Sequence, residues 1–312
     1  VFADRTVDNL LPYATVSSDT LHDSATLPTV GARYTLDRDN TVFASFGTSF
    51  RSAPNYTLAQ SFSATSSSVA PINVPPPEEG KTFEVGHRFQ GSLFATSVSG
   101  FLGLYDNFQQ TTNIMDPSGG TSTFSVTRNV GGLMNYGIDA EIGTRPYHHF
   151  RPYISGELLH TELLDNMPTT AKLGGVNIAD YLPSKGKELP GAPNYSAGVG
   201  IDYDDGHWFG NLGFKYIGAQ YSSYMNDEQI PGFGRMDAAI GYRFSDTAGF
   251  KQPEIKLNFF NILNTRDLTG VNSYTLNAQD TIGVLGGTIA KSTPNYYMGQ
   301  DFSFMLTLRT GL

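Results

Sequence analysis

The sequence predicts an all-β fold, a transmembrane antiparallel up-and-down β-barrel, and three observations predict it. Stretches in which apolar and polar residues alternate recur from one end of the chain to the other. The connections between them are by turns short and long. The composition favours strands and turns: the 312 residues include 17 Tyr, 21 Phe and 34 Gly, with only 16% charged residues. The hydrophobic share is 39%, and no run approaches the roughly twenty apolar residues that a membrane helix needs.

The clearest strand closes the chain. Phe302, Phe304, Leu306 and Leu308 fall on one side, while Asp301, Ser303, Met305, Thr307 and Arg309 fall on the other. Successive side chains of a strand point to opposite faces, so this segment meets lipid with its four apolar residues and a wet lumen with the rest. The same reading applies, in chain order, to residues 29–36, 83–89, 138–145, 195–203, 208–216, 237–244 and 254–259. His87 is an exception on an apolar side. Residues 41–50, 93–109 and 150–163 are strand-like with looser alternation, and a partial strand is expected near residues 10–16. The total is about twelve.

The connections give the strands a direction. Residues 37–40, 90–92, 146–149, 204–206 and 245–252 are short and rich in turn formers. Between them fall residues 52–80, 111–132, 164–193, 222–231 and 265–295. Consecutive connections of an up-and-down barrel lie at opposite rims, so one rim is trimmed and the other elaborated, as in outer-membrane barrels. Tyr203, Trp208, Tyr242, Phe244 and Tyr297 sit at strand ends, where a membrane interface favours aromatic rings. Lumen charges at Asp139, Glu141, Asp202, Lys215, Arg243, Glu254, Lys256, Asp301 and Arg309 are expected to form cross-strand ladders.

Several function classes are excluded. A net charge of -9 and the lack of a basic run argue against nucleic acid. The absence of Cys removes disulfides, thiolate metal sites and cysteine nucleophiles. There is no G-x-S-x-G elbow, P-loop or dinucleotide fingerprint. The adjacent His148 and His149 lack a third ligand at metal spacing, and Glu78 and Glu79 follow a triple proline as a solvated loop. No enzyme, cofactor or resident metal is expected.

Six segments in order resemble the C-terminal portion of TonB-dependent outer-membrane receptors. They are ASFGTSFRSAPN from Ala44, KTFEVGHRF from Lys81, NVGGLMNYGIDAE from Asn129, PGAPNYSAGVGIDY from Pro190, LNFFNILN from Leu257, and the last strand. The resemblance implies a 22-stranded plugged barrel of the bacterial outer membrane that imports a scarce nutrient, most often a ferric siderophore. It also implies energy supplied by TonB through an N-terminal region. On this reading residues 1–312 are the C-terminal part of the barrel, and the plug domain precedes them. The chain departs from the family by ending on Gly311 and Leu312 where members usually end on an aromatic residue.

A bulky anionic chelate suits aromatic stacking and arginine. The residues of those kinds at or beyond the external strand ends are Arg51, Tyr56, Phe108, Gln110, Tyr224, Arg266 and Tyr274. An even number of strands near twelve also permits a small closed barrel. That alternative makes the chain a passive porin or a membrane esterase.

Overall fold

A computed structural model describes residues 2–8, 18–53, 76–115, 123–246 and 249–311. Eleven strands form one antiparallel sheet in which every strand pairs with its neighbour in sequence. They are β1 (Thr29–Thr35), β2 (Asn40–Arg51), β3 (Glu78–Gln90), β4 (Phe94–Asp106), β5 (Leu133–Thr144), β6 (Phe150–Leu163), β7 (Tyr195–Asp204), β8 (Trp208–Ile217), β9 (Phe233–Arg243), β10 (Lys251–Phe260) and β11 (Ser303–Gly311). This is a barrel wall laid out as a meander. It does not close on itself among the described residues, because β1 and β11 are its two edges. The small closed barrel of the alternative reading is therefore not formed by them. The expected strand near residues 10–16 falls on undescribed positions, flanked by a separate hairpin, Phe2–Asp8 with Ser18–Ser24.

The register shows why these residues form a wall. Directly opposed residues of an antiparallel pair share a face, and the apolar positions line up from strand to strand. One row runs Val30, Phe46, Phe83, Leu102, Tyr136 and His160. Another runs Phe150, Tyr203, Gly210, Ile240, Leu257 and Leu306. Nothing among the described residues covers this face: Val85 is 63% exposed, Phe304 68% and Leu308 72%. A soluble protein does not leave so wide an apolar surface bare, whereas a bilayer supplies its cover. His87, the odd member of the face, is bonded to Asn40 Oδ1 at 3.0 Å near the short-turn rim.

The opposite face is polar and is braced in a second way. Phe43 lies across its cross-strand partner Gly86, and Phe209 across Gly241; a Cβ at either glycine would strike the ring. Arg88 sits over Phe43 at 4.7 Å, and Arg243 over Phe209 at 4.1 Å. Each glycine thus leaves room for a ring against the wall, and a cation stands over that ring. The expected charge ladder is partial. Arg243 joins Asp204 at 2.8 Å and Glu254 at 3.6 Å, and Arg151 joins Asp202 at 2.9 Å. Asp301 is not part of it, since it precedes β11 and pairs with Arg266 instead.

The trimmed rim is made of side-chain-to-backbone turns. Asp37 accepts the N–H groups of Asp39 and Asn40, and Asp205 those of His207 and Trp208. Rings gather beside these turns: Trp208 meets Tyr242 at 4.9 Å, Tyr242 meets Phe244 at 4.8 Å, and Phe150 meets Tyr203 at 4.8 Å. Pro253, which cannot donate to a ladder, sits where the register of β10 with β11 slips between Lys251 and Glu254. Tyr297 is not in this group; it belongs to an external hairpin.

Two outcomes test this layout. Leu306→Arg, on the apolar face near the middle of β11, is expected to lower folding stability in lipid by about 2–4 kcal/mol, measured by denaturant titration in vesicles; no loss would contradict a lipid-facing Leu306. The turn between β5 and β6 holds His148 and His149 at φ 49° and 71°, a two-residue turn that Asn-Gly suits better. The double change H148N/H149G is expected to stabilise the wall by on the order of 1 kcal/mol in the same titration.

Candidate functional site

The elaborated rim is where the chain builds a core. Among the described residues the buried apolar side chains lie at or beyond the external strand ends. Val130, Leu133, Leu163, Met167, Ala171, Leu182, Tyr224, Leu276 and Ile289 form one cluster, with Tyr105, Phe108, Ile178, Leu189, Met225 and Tyr274 packed against it. The long connections that supply them are structured. Gln109–Met115 and Thr123–Asn129 continue the β4–β5 hairpin outward. Met167–Leu173 and Val176–Leu182 form a hairpin turned by Gly174 and Gly175, and it is joined at Lys172 by Thr288 from the connection before β11.

Carboxylates that accept main-chain N–H groups tie these connections to one another. Glu78 accepts from Gln109 at 2.8 Å, and Asp165 from Gly132 at 2.8 Å. Asp180, 2% exposed, accepts from its neighbour Tyr181 and, more than a hundred positions away, from Leu285 at 2.8 Å and Gly287 at 2.9 Å. Asp227 accepts from Ala278 and Gln279 at 2.9–3.0 Å. Asn226 exchanges bonds with the backbone of Glu188. Burial acts to raise the Asp180 carboxyl, but the three N–H groups more than offset it, leaving its pKa below the ordinary 3.8. Burial and a bond to Glu228 push the Tyr296 phenol up to about 12.

The residues expected to meet a ligand divide among these surroundings. Arg51 lies at the end of β2, 3.8 Å from Glu78, and donates to the Gln109 carbonyl at 3.3 Å. Phe108 is half-buried, edge-on to Tyr105 at 5.9 Å. Gln110 lies beside the Tyr224 hydroxyl, and Tyr224 is completely enclosed, which drives its phenol far above the ordinary range. Tyr274 packs on the same cluster, its ring close over Gly191. Arg266 is exposed and engages Asp301 at 3.0 Å. Tyr56 lies outside the described residues. The structure therefore brings Phe108, Gln110, Tyr224 and Tyr274 together around one core, places Arg51 on its margin and sets Arg266 by the base of the last connection.

Sequence reasoning missed the cap itself. A signal for its central hairpin was present in the Gly174–Gly175 pair between alternating residues. Asp180 and Asp227 carried no signal, because their partners are main-chain groups.

An open-faced barrel wall with its long-loop rim packed into a structured cap defines a class, the barrel of an outer-membrane receptor. The family model described as TonB dependent receptor-like, beta-barrel matches residues 2–264, and the chain belongs to that family. An uncharacterized TonB-dependent receptor of Haemophilus influenzae is 23% identical over 253 residues, 77% of this chain and 67% of that protein. Among solved structures, the siderophore receptor PiuA from Acinetobacter baumannii superposes with a TM-score of 0.67 at 16% identity, over 97% of this chain and 38% of the receptor. The ferric citrate transporter FecA, unliganded, gives 0.66 at 17%, over 95% and 40%. The copper transporter OprC gives 0.60 at 15%, over 95% and 40%. The chain thus spans about two-fifths of the length of these solved relatives.

Asp180→Asn tests the stitching. Its native carboxylate is charged, so the contribution is present above the ordinary pKa and is lost as pH falls through the depressed one, below about pH 4. At pH 7, D180N is expected to speed hydrogen exchange at the Leu285 and Gly287 amides by about tenfold or more. Unchanged protection would contradict the tie.

Proposed function

We propose that this chain is the C-terminal part of the barrel of an outer-membrane importer that takes up a ferric siderophore with energy delivered through TonB. The observation that carries the reading is the continuous apolar outer face set against a polar inner face, beneath a packed external cap. An apolar face of this extent suits burial in lipid, and a wall that is polar within suits passage of a hydrated chelate. The structural relatives, a siderophore receptor and a ferric citrate transporter among them, support the substrate class. Arg51, Tyr56, Phe108, Gln110, Arg266 and Tyr274 are the proposed ligand contacts. Tyr224 is assigned to the core that holds the cap in shape. TonB is proposed to act through an N-terminal region outside this sequence.

The test is accumulation of radioactive iron by iron-starved cells given ferric siderophores of different classes, with and without this gene. Loss of uptake of one chelate on deletion, reproduced by loss of TonB or by collapse of the proton gradient, is the expected outcome. Uptake that persists after collapse of the gradient would instead indicate passive diffusion. A defect confined to copper would move the substrate away from iron chelates.

A further inference from the structure

The strand pairs of the wall are joined in two ways, and only one of them fixes how the strands line up. Short turns join β1–β2, β3–β4, β5–β6, β7–β8 and β9–β10, and a tight turn sets the register of its own hairpin. The other five pairs are joined through long external connections, residues 52–77, 107–132, 164–194, 218–232 and 261–302. The alternation of faces forbids a slip of one residue in these pairs, because it would turn every apolar side chain inward. A slip of two residues keeps each side chain on its own face, and a long connection absorbs it. These pairs need another device to hold them in line.

One contact recurs in them. In β2–β3 Phe43 stands directly opposite Gly86, in β4–β5 Phe101 opposite Gly137, in β6–β7 Tyr153 opposite Gly200, and in β8–β9 Phe209 opposite Gly241. All four lie on the inner face, and at each glycine a Cβ would come within 3 Å of the ring. A slip of two residues takes Phe43 to Glu84 or Arg88, Phe101 to Asn135 or Asp139, and Phe209 to Ala239 or Arg243, so these rings lose their hollow in either direction. Tyr153 would meet Asp202 in one direction and Gly198 in the other; the second slip would part Arg151 from Asp202, opposed residues whose side chains meet at 2.9 Å. The fifth pair, β10–β11, has Ser303 opposite Phe260 and carries instead the irregularity between Lys251 and Glu254, and a bulge pins a register as well. Among the described residues the short-turn pairs make one such contact on this face, Tyr105 with Gly80 at the external end of β3–β4, where Tyr105 also packs on the cap core. Tyr153 stands opposite Gly143 too, but its ring is directed away from that glycine.

We propose that the four pairs of ring and glycine lock the register of strand pairs that no short turn constrains. The glycine supplies a hollow and the ring on the facing strand fills it, so alignment is set by shape rather than by the length of the connection. The external connections can then change shape while the ladder beneath them keeps its alignment. The lock depends on which strands the long connections join, and not on what the barrel carries.

The test uses the full-length receptor in isolated membranes, with cysteine pairs placed across β8–β9 and oxidised in the absence of any ligand. N211C/A239C reports the native alignment, while N211C/D237C and G213C/A239C report slips of two residues in the two directions. The lock is altered by Phe209→Ser, which adds no bulk, and by Gly241→Val, where the ring supplies all the nearest atoms; Phe209→Tyr keeps the ring. The wild-type and F209Y backgrounds are expected to cross-link the native pair at least about tenfold more than the slipped pairs, and the F209S and G241V backgrounds to raise the slipped cross-links by about tenfold over wild type. I201C/L212C, across the short-turn pair β7–β8, is expected to cross-link equally in all four backgrounds. Slipped cross-links that stay at the wild-type level in F209S overturn the proposal. So does an equal loss of the I201C/L212C cross-link, since the ring would then only add general stability. If G241V does not assemble in the membrane, F209S decides the matter alone.

Discussion

Every peptide group of a wall inside hydrocarbon has to find its partner in the wall, because no water is present to bond it. That requirement selects the continuous antiparallel ladder from β1 to β11, and the rest of the architecture follows from it. Strands must be long enough to cross, and most here have ten residues or more. Consecutive strands must pair, so the turns at one rim can be short. Pro253, which has no N–H to give, sits where the ladder of β10 with β11 is already interrupted. The ladder also fixes which side chains share a row, and thus gathers Leu257, Leu306 and Ile240 onto one face and Lys215 and Arg235 onto the other.

The distribution of apolar side chains is the inverse of a water-soluble protein's. On the wall they face outward and remain uncovered by protein, so their burial depends on the surrounding medium. The side chains enclosed by protein are found in the cap, around Leu163, Met167 and Tyr224. Two different solvents therefore stabilise the two parts: lipid against the wall, and water against a conventional small core above it. The cap can be reshaped without loss of the ladder, and the ladder holds the described long connections close enough to pack.

The wall was legible in the sequence because a period of two cannot be disguised along ten residues. The eleven wall strands answer to the alternating stretches from residue 29 to residue 309, and His87 was visible as an exception that Asn40 now accounts for. The cap was much less legible. Residues 164–193 read as a connection because the alternating segments about Gly174 and Gly175 are short. Tyr224 read as an accessible rim aromatic, yet packing from four connections encloses it, and no local pattern encodes contacts of that range. Asp301 fitted the polar phase of the last strand, but the strand begins at Ser303 and leaves Asp301 free to meet Arg266. The opposed pair Phe209 and Gly241 depends on the register between β8 and β9, which alternation alone does not fix.

The cap's ties are mostly between a carboxylate on one connection and bare main-chain N–H groups on another. A main-chain group is the same whatever side chain follows it. The segment around Leu285 can therefore exchange its side chains while Asp180 continues to hold it, apart from Gly283 and Gly287, where a Cβ would collide with that carboxylate. Such a lid separates its mechanical joints from its chemical surface. Over evolutionary time it can present new groups to new ligands without having to reinvent how its loops are held.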